Sequence, residues 1–177
     1  LRAALAAAVA EDDSHMYGPV LGLPALRTEI ATRWSRDYRG DIRATDVAIT
    51  SGCSQAFTAV MSTIATAGDS VILPTPWYFN HKMWLDMQGI ETIPLPCAAN
   101  MVPDPAMAAA LITPSTRAIV LVSPNNPTGA EYPREALAGF VDLARRNGLA
   151  LIIDETYRDF HADPHPVHDL FADPDWR

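Results

Sequence analysis

Short apolar runs typical of β-strands alternate with segments of helical apolar spacing along most of this 177-residue chain. Such alternation is the pattern of a layered α/β structure, in which helices connect the strands of a mostly parallel sheet. We predict a three-layer α/β/α fold with five strands, at about 47–50, 71–73, 90–95, 118–122 and 149–153. The last run is continuously apolar, so we expect it to be buried on both faces.

Helical spacing predicts an Ala-rich helix at residues 1–10 and further helices near 26–40, 54–65, 78–87 and 134–146. The segment 161–177 contains several proline-adjacent turns, so we predict a loop there.

The composition narrows the class of ligand. There are 13 basic and 21 acidic side chains, giving a net charge of −8, and no run of basic residues. This balance argues against nucleic acid or an anionic membrane as a partner, and no apolar stretch is long enough to span a bilayer. Cys53 and Cys97, the only cysteines, lack zinc-site or disulfide spacing. We therefore expect a cytoplasmic protein that binds small molecules.

Unusual residues follow several of the predicted strands, where ligands of parallel sheets bind. Ser51-Gly52-Cys53-Ser54 joins a strand to a helix, and its small residues suit a phosphate at a helix N-terminus. A plain helix start capped by Ser54 is the simpler interpretation of that turn alone.

Three further segments stand at strand ends. Residues 123–129 read S-P-N-N-P-T-G, a tight loop explained equally well by Asx-type turn hydrogen bonds or by a functional role. Asp154 and Glu155 follow the most apolar strand, so one of them should meet a cation or a strong donor, unless they only begin a helix. Trp77 and Tyr78 are core rings or a stacking platform.

In this order, the motifs Y-G-P-V-L-G-L-P-A-L-R, S-G-C-S, W-Y, S-P-N-N-P-T-G and D-E-T-Y resemble the pyridoxal-phosphate-dependent aminotransferases of class I/II, which have fold type I. The resemblance implies that residues 41–177 are part of the cofactor-binding large domain and that 1–40 form a helical segment leading into it. It also implies amino transfer from an amino acid to a 2-oxo acid, with pyridoxal 5'-phosphate as cofactor.

The resemblance assigns the first cofactor contacts residue by residue. Gly52, Cys53 and Ser54 match the turn that cradles the cofactor phosphate. Tyr78 matches the ring that stacks on the cofactor pyridine, with Trp77 as the alternative if the register shifts by one.

The remaining matches concern the reacting end of the cofactor and the subunit interface. Asp154 matches the acid that pairs with the pyridine nitrogen, while Asn126 and Tyr157 match the two partners of the phenolic oxygen. Tyr17 matches the tyrosine that reaches the cofactor phosphate of a neighbouring subunit, which implies a homodimer.

One residue of the family's pattern is missing. The Schiff-base lysine follows the aspartate in the family, but no lysine follows Asp154, and the only one in the chain is Lys82. We expect Lys82 to be a surface residue. We also expect the 177 residues to be a piece of a longer chain that supplies this lysine, the substrate-carboxylate arginine and the small C-terminal domain.

The shared motifs leave two other activities open. One is a pyridoxal-phosphate-dependent carbon–sulfur β-lyase of the same fold. The other is an aminotransferase-like sensor domain attached to a bacterial DNA-binding domain, an expectation that rests on fold-level analogy. The residues do not identify the amino acid substrate.

Overall fold

The computed structural model describes residues 1–162, 168–173 and 176, and its described part contains one parallel four-stranded sheet. The strands are β1 (Ser70–Thr75), β2 (Glu91–Pro96), β3 (Thr116–Val122) and β4 (Ala150–Asp154). Their order across the sheet is β2-β1-β3-β4. The predicted α/β class with a parallel sheet is confirmed.

The helices of the described part lie close to the predicted positions. They are α1 (Arg2–Ala10), α2 (Pro24–Asp37), α3 (Cys53–Ile64), α4 (Phe79–Met87), α5 (Pro105–Ala109) and α6 (Arg134–Asn147). The short helix α5 was not expected from apolar spacing, because five residues are too few to show a period. It begins where the Asp104 side chain accepts a hydrogen bond from the Ala106 N–H.

Two hydrophobic clusters, one on each face of the sheet, produce three layers. Successive side chains of a strand point to opposite faces, so β1 sends Val71 and Leu73 to one cluster and Ile72 to the other. The first cluster is completed mainly by α3 and α4, and the second by α5 and α6. This arrangement explains why β1 and β3 are apolar on both faces.

Two expectations about strands were wrong in detail. Residues 47–50 form no strand, because they do not pair with any of the four strands of the described sheet; the Ile49 N–H donates to the Leu21 carbonyl instead. Residues 149–153 are only half-buried, because β4 is at the edge of the sheet. In the predicted loop 161–177, Leu170–Ala172 form a 3₁₀ turn, and 163–167, 174, 175 and 177 lie outside the described residues.

A buried polar cluster connects the end of α2 to the segment after β4. The Tyr38 hydroxyl donates to Glu155 Oε2 at 2.7 Å, and the Tyr38 ring stacks on His168 at 4.5 Å. The Arg158 guanidinium lies over both Tyr38 and Trp34. Burial raises the pKa of Tyr38 far above its usual range, and the Glu155 carboxylate beside it adds to the effect. The Tyr38 hydroxyl therefore stays protonated and donates its hydrogen bond to the ionised carboxylate of Glu155.

Replacing Tyr38 by phenylalanine removes that donor and leaves a buried carboxylate with one partner fewer. We expect the free energy of unfolding to fall by about 2 kcal/mol, the usual size for a hydrogen bond to a charged group. Urea unfolding of the variant measures this loss. Tyr17→Phe is the matched control, since Tyr17 is fully exposed. Equal stability of the two variants would contradict the role of this hydrogen bond.

Candidate functional site

A cleft of about 250 Å³ opens at the carboxyl ends of β1, β3 and β4. The chain runs from β1 outward to β2 and then returns past β1 to β3, so the direction of winding reverses between β1 and β3. Such a reversal separates the loops at the strand ends and leaves a crevice between them. The cleft is lined by Ser51, Gly52, Cys53, Ser54, Tyr78, Val122, Asn126, Asp154, Thr156 and Tyr157.

The first wall of the cleft is the start of α3. Gly52 is the residue before the helix, with φ 91° and ψ 166°, a conformation that residues with a Cβ rarely adopt. Gly52 is therefore the N-cap residue, and it has no side chain that could cap the helix. The prediction of Ser54 as the cap is wrong, because Ser54 lies inside the first turn. The positive end of the helix dipole and the small residues beside it suit an anion in the cleft.

The loop 123–129 is held by its own hydrogen bonds. The buried Asn125 side chain accepts from the Thr128 hydroxyl at 2.8 Å and donates to the Tyr132 hydroxyl. The Asn125 N–H donates to the Ala130 carbonyl, and the Ser123 N–H donates to the Asp154 carbonyl at the end of β4. Asn125 is thus the structural residue of the pair. Its neighbour Asn126 lines the cleft.

Asp154 is the last residue of β4 and is only 7% exposed. Its Oδ1 atom accepts hydrogen bonds from the Thr156 N–H at 3.0 Å and the Thr156 hydroxyl at 2.7 Å. His81 Nε2 lies 3.3 Å from Oδ2. The expected strong donor to a buried acid is therefore present.

These donors determine the charge of Asp154. Burial by itself would raise the pKa of Asp154, but hydrogen bonds from His81, Thr156 and Cys53 outweigh burial and lower it to about 2. The carboxylate is thus negatively charged at neutral pH. Burial also raises the pKa of the Cys53 thiol, and the Asp154 carboxylate adds to that rise while Thr156 opposes it.

Because the pKa of Asp154 is lowered, we expect the free energy of unfolding to depend on pH in the acid range. A carboxyl with a pKa near 2 when folded and 3.8 when unfolded contributes about 2 kcal/mol of stability above pH 4, which is lost as the pH falls from 4 to 2. We expect roughly half of this contribution to be lost by pH 3. Urea unfolding from pH 7 to 3 should show it in the wild type but not in Asp154→Asn. Parallel pH profiles would contradict the lowered pKa.

His81 is the site residue that the sequence reasoning missed. It is buried in α4, its ring stacks on Phe57 at 4.0 Å, and Tyr78 approaches it edge-on at 5.2 Å. The available signal was its position one helical turn after Tyr78, which places both on the same side of the start of α4. The residue type alone does not indicate that a histidine on a helix contacts a carboxylate at the end of a strand distant in sequence.

The other predicted residues lie in different places. Tyr78 lines the cleft, and its hydroxyl accepts a hydrogen bond from Asn80. Trp77 is outside the lining and packs against the hydrophobic cluster of α3 and α4. Tyr157 lines the cleft and is partly exposed. Tyr17 is fully exposed and does not line the cleft of its own chain.

The cleft lining contains neither lysine nor arginine. Lys82 is on α4, is partly exposed, pairs with Asp86 and lies 5.9 Å from the centre of the Trp77 ring. Among the described residues there is no cluster of side chains that could hold a metal ion. Nor does any helix in the part of the chain that the structure describes have the length and apolarity to cross a membrane.

Comparison with known proteins relates this geometry to a family. The family model of class I and II aminotransferases matches residues 1–175. The aspartate/prephenate aminotransferase of Thermus thermophilus is 34% identical over 146 residues, covering 80% of this chain and 37% of the relative. An arginine–pyruvate transaminase of Pseudomonas aeruginosa is 34% identical over 153 residues, covering 85% and 39% respectively.

Solved structures agree with the sequence relatives. The alanine aminotransferase from Pyrococcus furiosus superposes with a TM-score of 0.89 at 26% identity, over 98% of this chain and 44% of that one. The names of these relatives describe aminotransferases or transaminases. The comparisons therefore do not favour the two alternatives, a β-lyase or a sensor domain. The chain spans less than half the length of each of them.

Proposed function

Because this chain belongs to the class I and II aminotransferases, we propose that it forms part of a pyridoxal-phosphate-dependent enzyme that moves an amino group from an amino acid to a 2-oxo acid. The observation that carries the proposal is the buried, ionised Asp154 in the lining of a cleft whose first wall is the N-terminus of α3. A negative carboxylate and a positive helix end, facing one cleft, suit a ligand with a cationic ring and an anionic phosphate.

The described residues fit this cofactor. When bound, pyridoxal phosphate supplies an electron-withdrawing ring that stabilises negative charge at the α-carbon of the amino acid. The turn at Gly52, Cys53 and Ser54 would hold the phosphate through backbone N–H groups and the α3 dipole. Tyr78 would hold the plane of the ring from one side.

Asp154 would carry out the electrostatic part of catalysis. Its carboxylate would keep a proton on the ring nitrogen, because a buried negative charge strongly favours a positive partner. Asn126 and Tyr157 line the same cleft and would donate to the phenolic oxygen of the cofactor. Each role uses a side chain that already faces the cleft.

The proton-transfer step needs a base that these residues do not provide. Lys82 is engaged with Asp86 on α4 and is absent from the cleft lining. We infer that a lysine outside residues 1–177 binds the cofactor and removes the α-proton of the substrate, together with an arginine that binds the substrate carboxylate.

The wider organisation is part of the same proposal. Residues 41–177 would belong to the large cofactor-binding domain and residues 1–40 would lead into it. Tyr17, fully exposed in this chain, would reach the phosphate bound by a second copy and so make the enzyme a homodimer. We also propose a cytoplasmic location and a role in amino acid metabolism, including biosynthesis.

The first experiment is to reduce the complete protein with borohydride after adding pyridoxal phosphate and to measure its intact mass, with amino transfer assayed in parallel. One cofactor per chain and oxo-acid formation that needs an acceptor are the expected results. Pyruvate release from a cysteine conjugate without an acceptor would instead indicate the β-lyase. Failure of the complete protein to bind the cofactor would overturn the proposal.

A further inference from the structure

Thr156 makes two hydrogen bonds to the same oxygen of the Asp154 carboxylate. Its backbone N–H and its hydroxyl both donate to Oδ1, at 3.0 Å and 2.7 Å. The β-branched side chain has few rotamers, so the hydroxyl is directed at Oδ1 with little loss of freedom. Thr156 also lines the cleft, beside the position proposed for the cofactor ring.

The second carboxylate oxygen is held from another element. His81 on α4 approaches Oδ2 to 3.3 Å, and the His81 ring is in turn stacked on Phe57 of α3. Donors on both oxygens, from two different elements, restrict the rotation of the carboxylate about its χ2 bond, which is otherwise broad. The orientation of Asp154 is therefore restrained by Thr156 and His81, together with the weaker Cys53 thiol donor.

The geometry points to Thr156 as a positioning residue whose hydroxyl fixes the Asp154 carboxylate in the orientation needed to pair with the ring nitrogen of the cofactor. This inference rests on the proposed function, because it assumes that the ring nitrogen lies at Asp154. Thr156 itself touches no reacting atom in this role and acts through Asp154.

The Thr156 hydroxyl restrains the Asp154 carboxylate in addition to the restraint from the Thr156 backbone N–H. Without the hydroxyl, Oδ1 loses one of its two hydrogen bonds from Thr156, and the carboxylate rotates more freely among the donors that remain. A carboxylate that rotates freely loses more conformational entropy on pairing with the ring nitrogen than one that is already held in place. The loss should therefore appear for a ligand that has this nitrogen and be absent for one that lacks it.

The test measures, in the complete protein, binding of pyridoxal phosphate and of its 1-deaza analogue, in which a C–H group replaces the ring nitrogen. Thr156→Val keeps the shape of the side chain and removes the hydroxyl, whereas Thr156→Ser keeps the hydroxyl. We expect the preference of the wild type for pyridoxal phosphate over the analogue to fall about 10-fold in Thr156→Val, the loss of one hydrogen bond to a charged group. Thr156→Ser should restore most of it.

The outcomes that would contradict the positioning role differ from the outcome that would contradict the proposed function. A wild-type protein that binds both ligands equally would show that the ring nitrogen does not lie at Asp154, and so would overturn the proposed function. A wild-type preference that survives unchanged in Thr156→Val would overturn the positioning role alone. Equal weakening of both ligands in Thr156→Val would also overturn it, because damage to the fold does not distinguish a ring nitrogen from a C–H group.

Discussion

Asp154→Ala is expected to lower the rate of amino transfer by about 10³-fold, the scale found when a preorganised electrostatic group is removed from an active site. Asp154 is the single ionised carboxylate among the residues that line the cleft. Without it, nothing in that lining carries a negative charge to keep the ring nitrogen of the cofactor protonated. The measurement is turnover per folded protein in the complete enzyme with saturating cofactor.

Two further variants make the result interpretable. Asp154→Asn keeps the shape and most hydrogen bonds but not the charge, so it should lose nearly as much activity as Asp154→Ala. Asp159→Asn is the control, because Asp159 follows in the same segment but is largely exposed, with only a 3.7 Å contact to Arg33. Near-normal turnover in Asp154→Asn would contradict the electrostatic role, whatever its effect on stability.

Phe140→Ala is expected to lower the free energy of unfolding by about 4 kcal/mol. Phe140 is on α6 and is 0% exposed, in the cluster that contains Ile119 and Leu121 of β3. Truncating a fully buried ring removes apolar burial and leaves a cavity that the surrounding sheet and helix cannot fill. Because domains of this size are stable by only about 5–15 kcal/mol, this loss is a large fraction of the total stability.

Phe160→Ala is the matched control for that loss. Phe160 is 78% exposed, so the same truncation removes little buried surface and should change stability by less than about 0.5 kcal/mol. Urea unfolding at neutral pH compares the two variants directly. Similar losses at both positions would contradict the buried packing of Phe140 against β3.

The parts of the fold that depend on local periodicity were predictable from the sequence. The apolar run ending at Val122 forms a buried strand, and the spacing around Phe140 gives an amphipathic helix. Residues 47–50 are also mostly apolar but form no strand, because a strand exists only where another one pairs with it. Which neighbours are available is a property of the whole sheet and cannot be read from a short run.

The candidate site was predictable to the extent that residues of special type follow strands. The segments that contain Asp154 and Asn126 were singled out on that ground, the family resemblance selected these two residues within them, and both line the cleft. His81 was missed because its partner is distant in sequence, and Trp77 could not be separated from Tyr78 because adjacent aromatic residues give no directional signal. Distances between elements, and the direction of each side chain, come only from the packed structure.

The placement of the cleft residues in turns and at the start of a helix also bears on how such a protein can evolve. The cleft is built from the start of α3 and from turns that follow β1, β3 and β4, whereas the tightly packed interior lies between the sheet and its helices. Exchanging a residue of a turn alters what the folded molecule recognises without forcing neighbouring side chains to repack. New substrate preferences can therefore arise on this scaffold while selection on the interior continues to preserve the fold.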